Sequence, residues 1–325
     1  MRSSSVTLCR RAQLPSWRSD FPLRALPVFT FVLLALASSA FAGASEQAPS
    51  TRYQSIGGNS GKLLAFIETR EGLSELERAG LKVTIEEPGV YPFKWPEEWP
   101  ANRTTIGASV ILLTPFSAKL DGRIGPYVLG NWPNEGDIKD SSPAAKYAAS
   151  RAEYAVPPGF IKVTKSTAST RVSEHFRLGD FLTKGQLDVW PKYIVLDLKL
   201  VDKLELVIDA LHEAGHPVKG LHIMSGFRTP QYNAKDIGPG SRSAISRHLY
   251  GAAADVYPDD DKDGRLDDLN GDGHVDLADA KIVAAAAENV EKKYPDLVGG
   301  ISIYPATAAH GPVVHIDTRG KRARW

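Results

Sequence analysis

The sequence predicts an α+β chain, with a small β-rich region ahead of a larger domain of strands and helices in mixed order. Three observations carry this. Short apolar runs split by Pro and Gly fill residues 61–158, among them Leu63-Leu64-Ala65-Phe66-Ile67 and Ala108-Ser109-Val110-Ile111-Leu112-Leu113. Beyond residue 159, two helical stretches stand among short apolar runs. These do not follow the strict strand–helix alternation of a parallel sheet. The composition, 42% hydrophobic and 24% charged, is that of a chain able to bury a core, which excludes collagen-like, coiled-coil and wholly disordered classes.

Taken in order, residues 1–42 read as a secretory signal. Arg2, Arg10, Arg11, Arg18 and Arg24 precede the apolar run 29–37, and Ala40-Phe41-Ala42 supplies small residues for cleavage. The run is shorter than the ~20 residues a span needs, so no stable membrane span is expected after cleavage. The expected location is exported, periplasmic or extracellular. Removing 1–42 takes away the lone cysteine, Cys9, so neither a disulfide nor a cysteine-based metal site is expected. It also takes Lys+Arg from 39 to 34 and Asp+Glu from 38 to 37, a net charge of −3. Residues 43–60 read as a linker, 61–158 as the β-rich domain and 134–151 as a loop or short helix.

In the domain 159–325, strands are expected at Phe160–Val163, Leu221–Met224, Ile301–Tyr304 and Val313–Ile316. Leu200, Leu204, Val207, Ile208 and Leu211 recur at three and four, which predicts a helix over 197–214, stopped by Gly215 and Pro217. A second, alanine-rich helix is expected over 277–294.

His212-Glu213-Ala214-Gly215-His216 spells the zinc-protease string H-E-x-x-H, which needs both His one turn apart on a continuous helix. Gly215 inside it and Pro217 behind it place His216 beyond the helix end, so the string is expected to be inert. A better constellation is His248 and Asp255, seven apart with Gly251 between them, together with His315 on a later strand. Two His and one carboxylate give zinc three ligands and leave a position for water. Spacing alone leaves His248 equally readable as a hydrogen-bonded core residue.

Three ordered segments then carry a resemblance. Ser246, His248, Gly251, Ala253 and Asp255 fill S-x-H-x-x-G-x-A-x-D. Ser225-Gly226-Phe227-Arg228-Thr229-Pro230-Gln231-Tyr232-Asn233 precedes them, and the stretch from His315 to Trp325 fits H-x-D-x-R-G-x-R-x-x-W. Over roughly residues 155–325 the chain resembles the zinc D-alanyl-D-alanine peptidase family of cell-wall enzymes. Val172–Leu182 is similar to the segment that opens that domain. The resemblance implies an antiparallel-sheet domain, zinc on His248, Asp255 and His315, and peptidoglycan stem peptides as substrate. It also implies Arg228 and Ser246 on the substrate side. The bond cut is either that of a D-Ala-D-Ala carboxypeptidase or that of a cross-link endopeptidase. One departure bears on the base. Relatives place a His or Glu shortly before the last zinc ligand, whereas here stand Gly311, Pro312, Val313 and Val314. His310 and Asp317 are the remaining candidates, and Asp317 is also readable as a group that orients a ligand.

A second metal feature lies between the ligands. Residues 259–279 hold nine Asp against Lys262 and Arg265, and without that segment the mature chain carries +4. Asp268, Asn270, Asp272, His274 (through its carbonyl), Asp276 and Asp279 occupy calcium-loop positions, with Gly273 at the sharp turn. Asp259, Asp261, Asp263 and Asp267 begin the same pattern. The competing readings are therefore a zinc- and calcium-dependent peptidase, a peptidoglycan-binding module on that fold with weakened chemistry, and a calcium-dependent interaction module. No nucleic-acid partner is expected: the charge balance is near neutral, and the basic run 319–324 is short.

Overall fold

The computed structural model describes residues 58–78, 84–93, 108–135, 151–236 and 242–325. The expected signal, most of the linker and most of 134–151 lie outside the described residues. What is described is mixed α/β: small sheets containing antiparallel pairs, with few helices.

Strand β1 (Ala65–Glu68) leads into helix α1 (Arg70–Arg78), then β2 (Gly89–Phe93) and β3 (Ala108–Leu112). β3 is central, parallel to β1 and antiparallel to β2. Sequence reading missed α1, because Arg70-Glu71-Gly72-Leu73-Ser74-Glu75-Leu76-Glu77-Arg78 is mostly charged and polar, and its apolar period is faint. Phe66, Leu73, Phe93, Val110 and Leu112 form a small core there, with Phe66 and Phe93 edge to face at 5.9 Å.

The main core runs through the boundary expected at 158. Strand β4 (Thr114–Pro115) pairs with β7 (Gly159–Val163), which pairs in turn with β8 (Lys192–Ile194). Between them lies a hairpin of β5 (Arg123–Ile124) and β6 (Tyr127–Val128). Trp132 and Phe160, both fully buried, sit with ring centroids 5.6 Å apart. Gly159 is required at this seam, since a Cβ there would lie 2.5 Å from the Thr114 carbonyl oxygen.

Helix α2 (Leu198–Glu213) follows, with Asp197 capping it by accepting the Lys199 N–H at 3.0 Å. All five predicted core positions from Leu200 to Leu211 are fully buried. Each stabilises the fold by about 1.5–3 kcal/mol relative to exposure.

Strand β9 (His222–Ser225), helix α3 (Pro230–Asn233), β10 (Ala253–Tyr257), helix α4 (Leu277–Lys293), β11 (Gly300–Tyr304), β12 (Val313–Asp317) and β13 (Ala323–Arg324) complete the chain. The five strands form one sheet in the order β13-β11-β12-β10-β9, antiparallel except for β13 against β11. α4 packs against α2 and against β11 and β12. The basic C-terminal run folds onto α4: Arg324 pairs with Glu291 at 2.6 Å and with Glu288 at 2.9 Å. Among the described residues, no helix is long and apolar enough to cross a membrane.

Candidate metal centre

Register brings two of the predicted donors together. Asp255 on β10 stands directly opposite His315 on β12, as cross-strand neighbours whose side chains share one face. His315 Nδ1 lies 2.9 Å from Asp255 Oδ1. His248 arrives from a short 3₁₀ turn, Arg247–Tyr250. Ser246 starts the turn, its hydroxyl accepting the His248 N–H at 3.4 Å. Gly251 ends it at φ 62°, pressed so closely on the chain at Val195 that a Cβ would meet the carbonyl oxygen at 2.2 Å. The chain therefore turns sharply after His248 and enters β10, which sets His248 Nε2 3.3 Å from Asp255 Oδ1. All three residues are buried, and one donor atom from each lies within 4.8 Å of the others.

The donors are held by partners on their far sides. His248 Nδ1 faces the Gly226 carbonyl at 2.7 Å, which as a donor leaves Nε2 with its lone pair toward Asp255. His315 Nε2 lies 3.1 Å from Asp317 Oδ2, leaving Nδ1 toward Asp255. Asp317, fully buried, also accepts from the Gly300 N–H at 2.7 Å and from Arg319 Nε at 2.8 Å. Its backbone carbonyl accepts from the buried Lys203 at 2.8 Å, and Lys203 is neutralised by Glu291 at 2.6 Å. Burial alone would raise the Asp317 carboxyl, but His315 and Arg319 hold it well below the ordinary carboxylate range. Held in this way, Asp317 orients His315 and is not placed to collect a proton from a substrate.

Electrostatics suit a cation. Burial lowers the His248 pKa and so favours neutral imidazole, the ligating form. Burial opposes ionisation of Asp255 as well, but His248 and His315 keep its carboxyl far below the usual range. His315, also opposed by burial, is raised by Asp255 and Asp317, so the centre draws positive charge. Two imidazole nitrogens and one carboxylate oxygen, each oriented from behind, fit a zinc-type donor set.

The triad opens into a cavity of about 740 Å³ whose lining includes Arg228, Ser246, His310 and Tyr304. Arg228 binds Ser225 Oγ through Nε at 2.8 Å and pairs with Asp255 Oδ2 through Nη2. It thus grips a candidate ligand and faces the cavity at once. His310 is half-buried with Nδ1 2.6 Å from the Gly311 carbonyl, and it is the one predicted base that lines the cavity. Val313 and Val314 are fully buried and carry no proton. Arg242, Arg247, Arg319 and Tyr304 also line it, although sequence reading gave them no role. Arg247 directly precedes His248, which was the available signal.

The H-E-x-x-H string does not converge. α2 ends at Glu213, Gly215 takes φ 88°, and His216 lies outside the helix. His212 Nε2 binds the Val218 carbonyl at 2.6 Å, while His216 Nδ1 binds the Leu269 carbonyl at 2.9 Å.

The acidic segment is arranged differently from expectation. Asp259, Asp261 and Asp267 bring carboxylate oxygens within 4.8 Å of one another, without Asp263. Among the described residues, the carboxylates of 268–279 form no such group. They accept from the loop's own backbone. Asp268 takes the N–H of Gly271 and Gly273, both at 2.8 Å, and Asn270 Oδ1 takes that of Asp272 at 2.8 Å. Asp272 takes that of His274 at 2.8 Å. Asp276 caps α4, and buried Asp279 accepts from Leu269 at 2.9 Å, Asn270 at 3.2 Å and Asp276 at 2.9 Å.

No protein-family model matches the chain, and neither does any curated protein or any solved structure.

Proposed function

We propose that the chain is a zinc-dependent hydrolase of peptidoglycan stem-peptide amide bonds, with its site on the five-stranded sheet β9–β13. The observation that supports this best is the meeting of His248, Asp255 and His315, buried and oriented from behind, at the floor of an open cavity. Bound there, zinc would supply Lewis acidity to a carbonyl and acidify water. The chain's own residues do the rest. Gly226 and Asp317 fix which nitrogen each His presents. Arg228, charged at all working pH, faces the cavity, where its fork suits a carboxylate or a polarised carbonyl oxygen. His310, on the cavity lining, is the candidate to move a proton.

A second reading, a peptide-binding module with weakened chemistry, is favoured by the apolar Val313-Val314 stretch ahead of His315. One assay separates the two. Purified protein is incubated with muropeptides and zinc, with and without a chelator. Chelator-sensitive release of D-Ala or opening of cross-links supports the hydrolase. Muropeptide binding without cleavage leaves the module.

For the acidic segment the reading is calcium, at 268–279 with its loop spacing and at 259–267 where three carboxylates gather. An ion bound only by the folded state stabilises by about 2.7 kcal/mol at a hundredfold excess over Kd. Melts of wild type and Asp272→Ala in calcium, magnesium and a calcium-selective chelator test this. Equal wild-type midpoints in all three would remove the calcium reading.

A further inference from the structure

We propose that Arg247 and Arg242 form a carboxylate-binding subsite beside the metal triad, so that the preferred ligand is a peptide with a second anionic group away from the reacting amide. This rests on the triad being a peptide-amide site. It begins with the charge of the cavity wall, where Arg228, Arg242, Arg247 and Arg319 face a single carboxylate, Asp255. Arg228 is answered by Asp255, and Arg319 by Asp317 behind the wall.

Arg247 is answered differently. It is 8% exposed, and its guanidinium lies over the rings of Tyr154 and Tyr250 at 5.3 and 5.2 Å. Nη1 donates to the Glu153 carbonyl at 2.5 Å. Nε is buried and, among the described residues, has no hydrogen-bond partner. A guanidinium taken out of water with an unmet N–H is costly, and an anion arriving from the cavity offsets that cost. The aromatic faces hold the fork flat and limit its rotamers, so little freedom is lost on binding. Arg242 stands on the same wall, half-buried and stacked 4.5 Å over Tyr232, with Nη1 donating to the Tyr232 carbonyl at 2.8 Å. Ser243 and Ser246 line the cavity with them. Planar forks backed by aromatic rings are matched to a carboxylate's two oxygens.

The test is calorimetric titration of the full chain with N-acetyl-Glu-D-Ala-D-Ala and its isosteric amide, N-acetyl-Gln-D-Ala-D-Ala. In wild type the acid should bind about tenfold tighter than the amide. Arg247→Gln should bring that ratio below about twofold, with circular dichroism confirming the fold. Arg242→Gln changes a half-buried side chain and should lower the ratio in the same direction, so it decides the matter if Arg247→Gln does not fold. A wild-type ratio near one, no binding of either peptide, or a ratio unchanged in the folded variants overturns the subsite. Cleavage is followed separately with zinc. Arg247-dependent binding without cleavage sinks the hydrolase and keeps the subsite. Cleavage of both peptides with equal affinity does the reverse.

Discussion

His212 and His216 stand one helical turn apart in sequence and diverge, whereas Asp255 and His315 are sixty residues apart and meet. The contrast shows what places a ligand. At the end of α2, Gly215 at φ 88° stops the helix, and each imidazole is then taken by the nearest backbone carbonyl, that of Val218 or Leu269. At the sheet, the antiparallel register of β10 and β12 sets Asp255 against His315 whatever the length of chain between them. A motif written in consecutive residues depends on one uninterrupted element. A centre built across strands depends on register, which a whole buried face enforces.

The largest expected effect tests the meeting itself. His248→Ala should abolish muropeptide hydrolysis and lower zinc affinity by at least about a hundredfold, more than changes behind a ligand usually cost. Metal analysis after gel filtration and a chelator competition read both. A variant that keeps zinc and activity would show that the three donors do not act together.

Next in size is the support behind His315. Asp317→Asn keeps the shape but removes the charge that holds His315 Nε2 and Arg319. Zinc affinity should fall about 10–100-fold, with the far-ultraviolet dichroism retained. Affinity equal to wild type would leave Asp317 as a partner of Arg319 alone.

A smaller effect concerns a histidine–carboxylate pair away from the centre. His175 Nδ1 lies 2.7 Å from Glu205 Oε2, and Glu205 is fully buried. The hydrogen bond to Glu205 raises the His175 pKa above its ordinary value, against the pull of burial. The folded value is therefore above the unfolded one. The pair's stabilisation is complete below the unfolded value, near about pH 6.5, and disappears as pH rises through the folded value. Solvent screens the partly exposed ring, so the change should stay within about 1 kcal/mol. Thermal midpoints of wild type should fall relative to His175→Gln over that interval. A difference between the two that does not vary with pH would separate His175 from the pH response.

Most of the larger elements were legible in the sequence. The three-and-four period drew α2 to within a residue at each end, and the alanine-rich stretch gave α4. The strands bearing Ile301 and Val313 are β-branched runs that announce themselves. The strand at the centre of the site did not. β10 reads Ala253-Ala254-Asp255-Val256-Tyr257, and its alanines are there because both faces are covered and every residue is buried. The sequence reading placed no strand there. It named the three donors and Arg228. The partners that hold the donors, the Gly226 carbonyl and the Lys203–Glu291 pair, were illegible because long-range packing brings them there. Arg247 lost its signal for the same reason: its neighbours Glu153 and Tyr154 are some ninety residues away.

The smallest expected effect is no effect, and it bears most directly on the contrast of the two histidine sites. Glu213 is the last residue of α2, exposed to solvent, and would be the general base if H-E-x-x-H were a protease motif. His212 is bound to Val218 and His216 to Leu269, and among the described residues neither joins a metal-type group with Glu213. Glu213→Gln should therefore leave zinc stoichiometry unchanged, hydrolysis within about twofold and stability within about 0.5 kcal/mol, as for an ordinary surface change. His216→Ala is the informative partner. It should leave zinc in place while loosening the 268–279 loop, seen as faster amide exchange at Leu269 and its neighbours. If Glu213→Gln instead removes hydrolysis while the protein stays folded and zinc-loaded, the base lies at the end of α2, and the cavity beside His315 is not where the amide is cut.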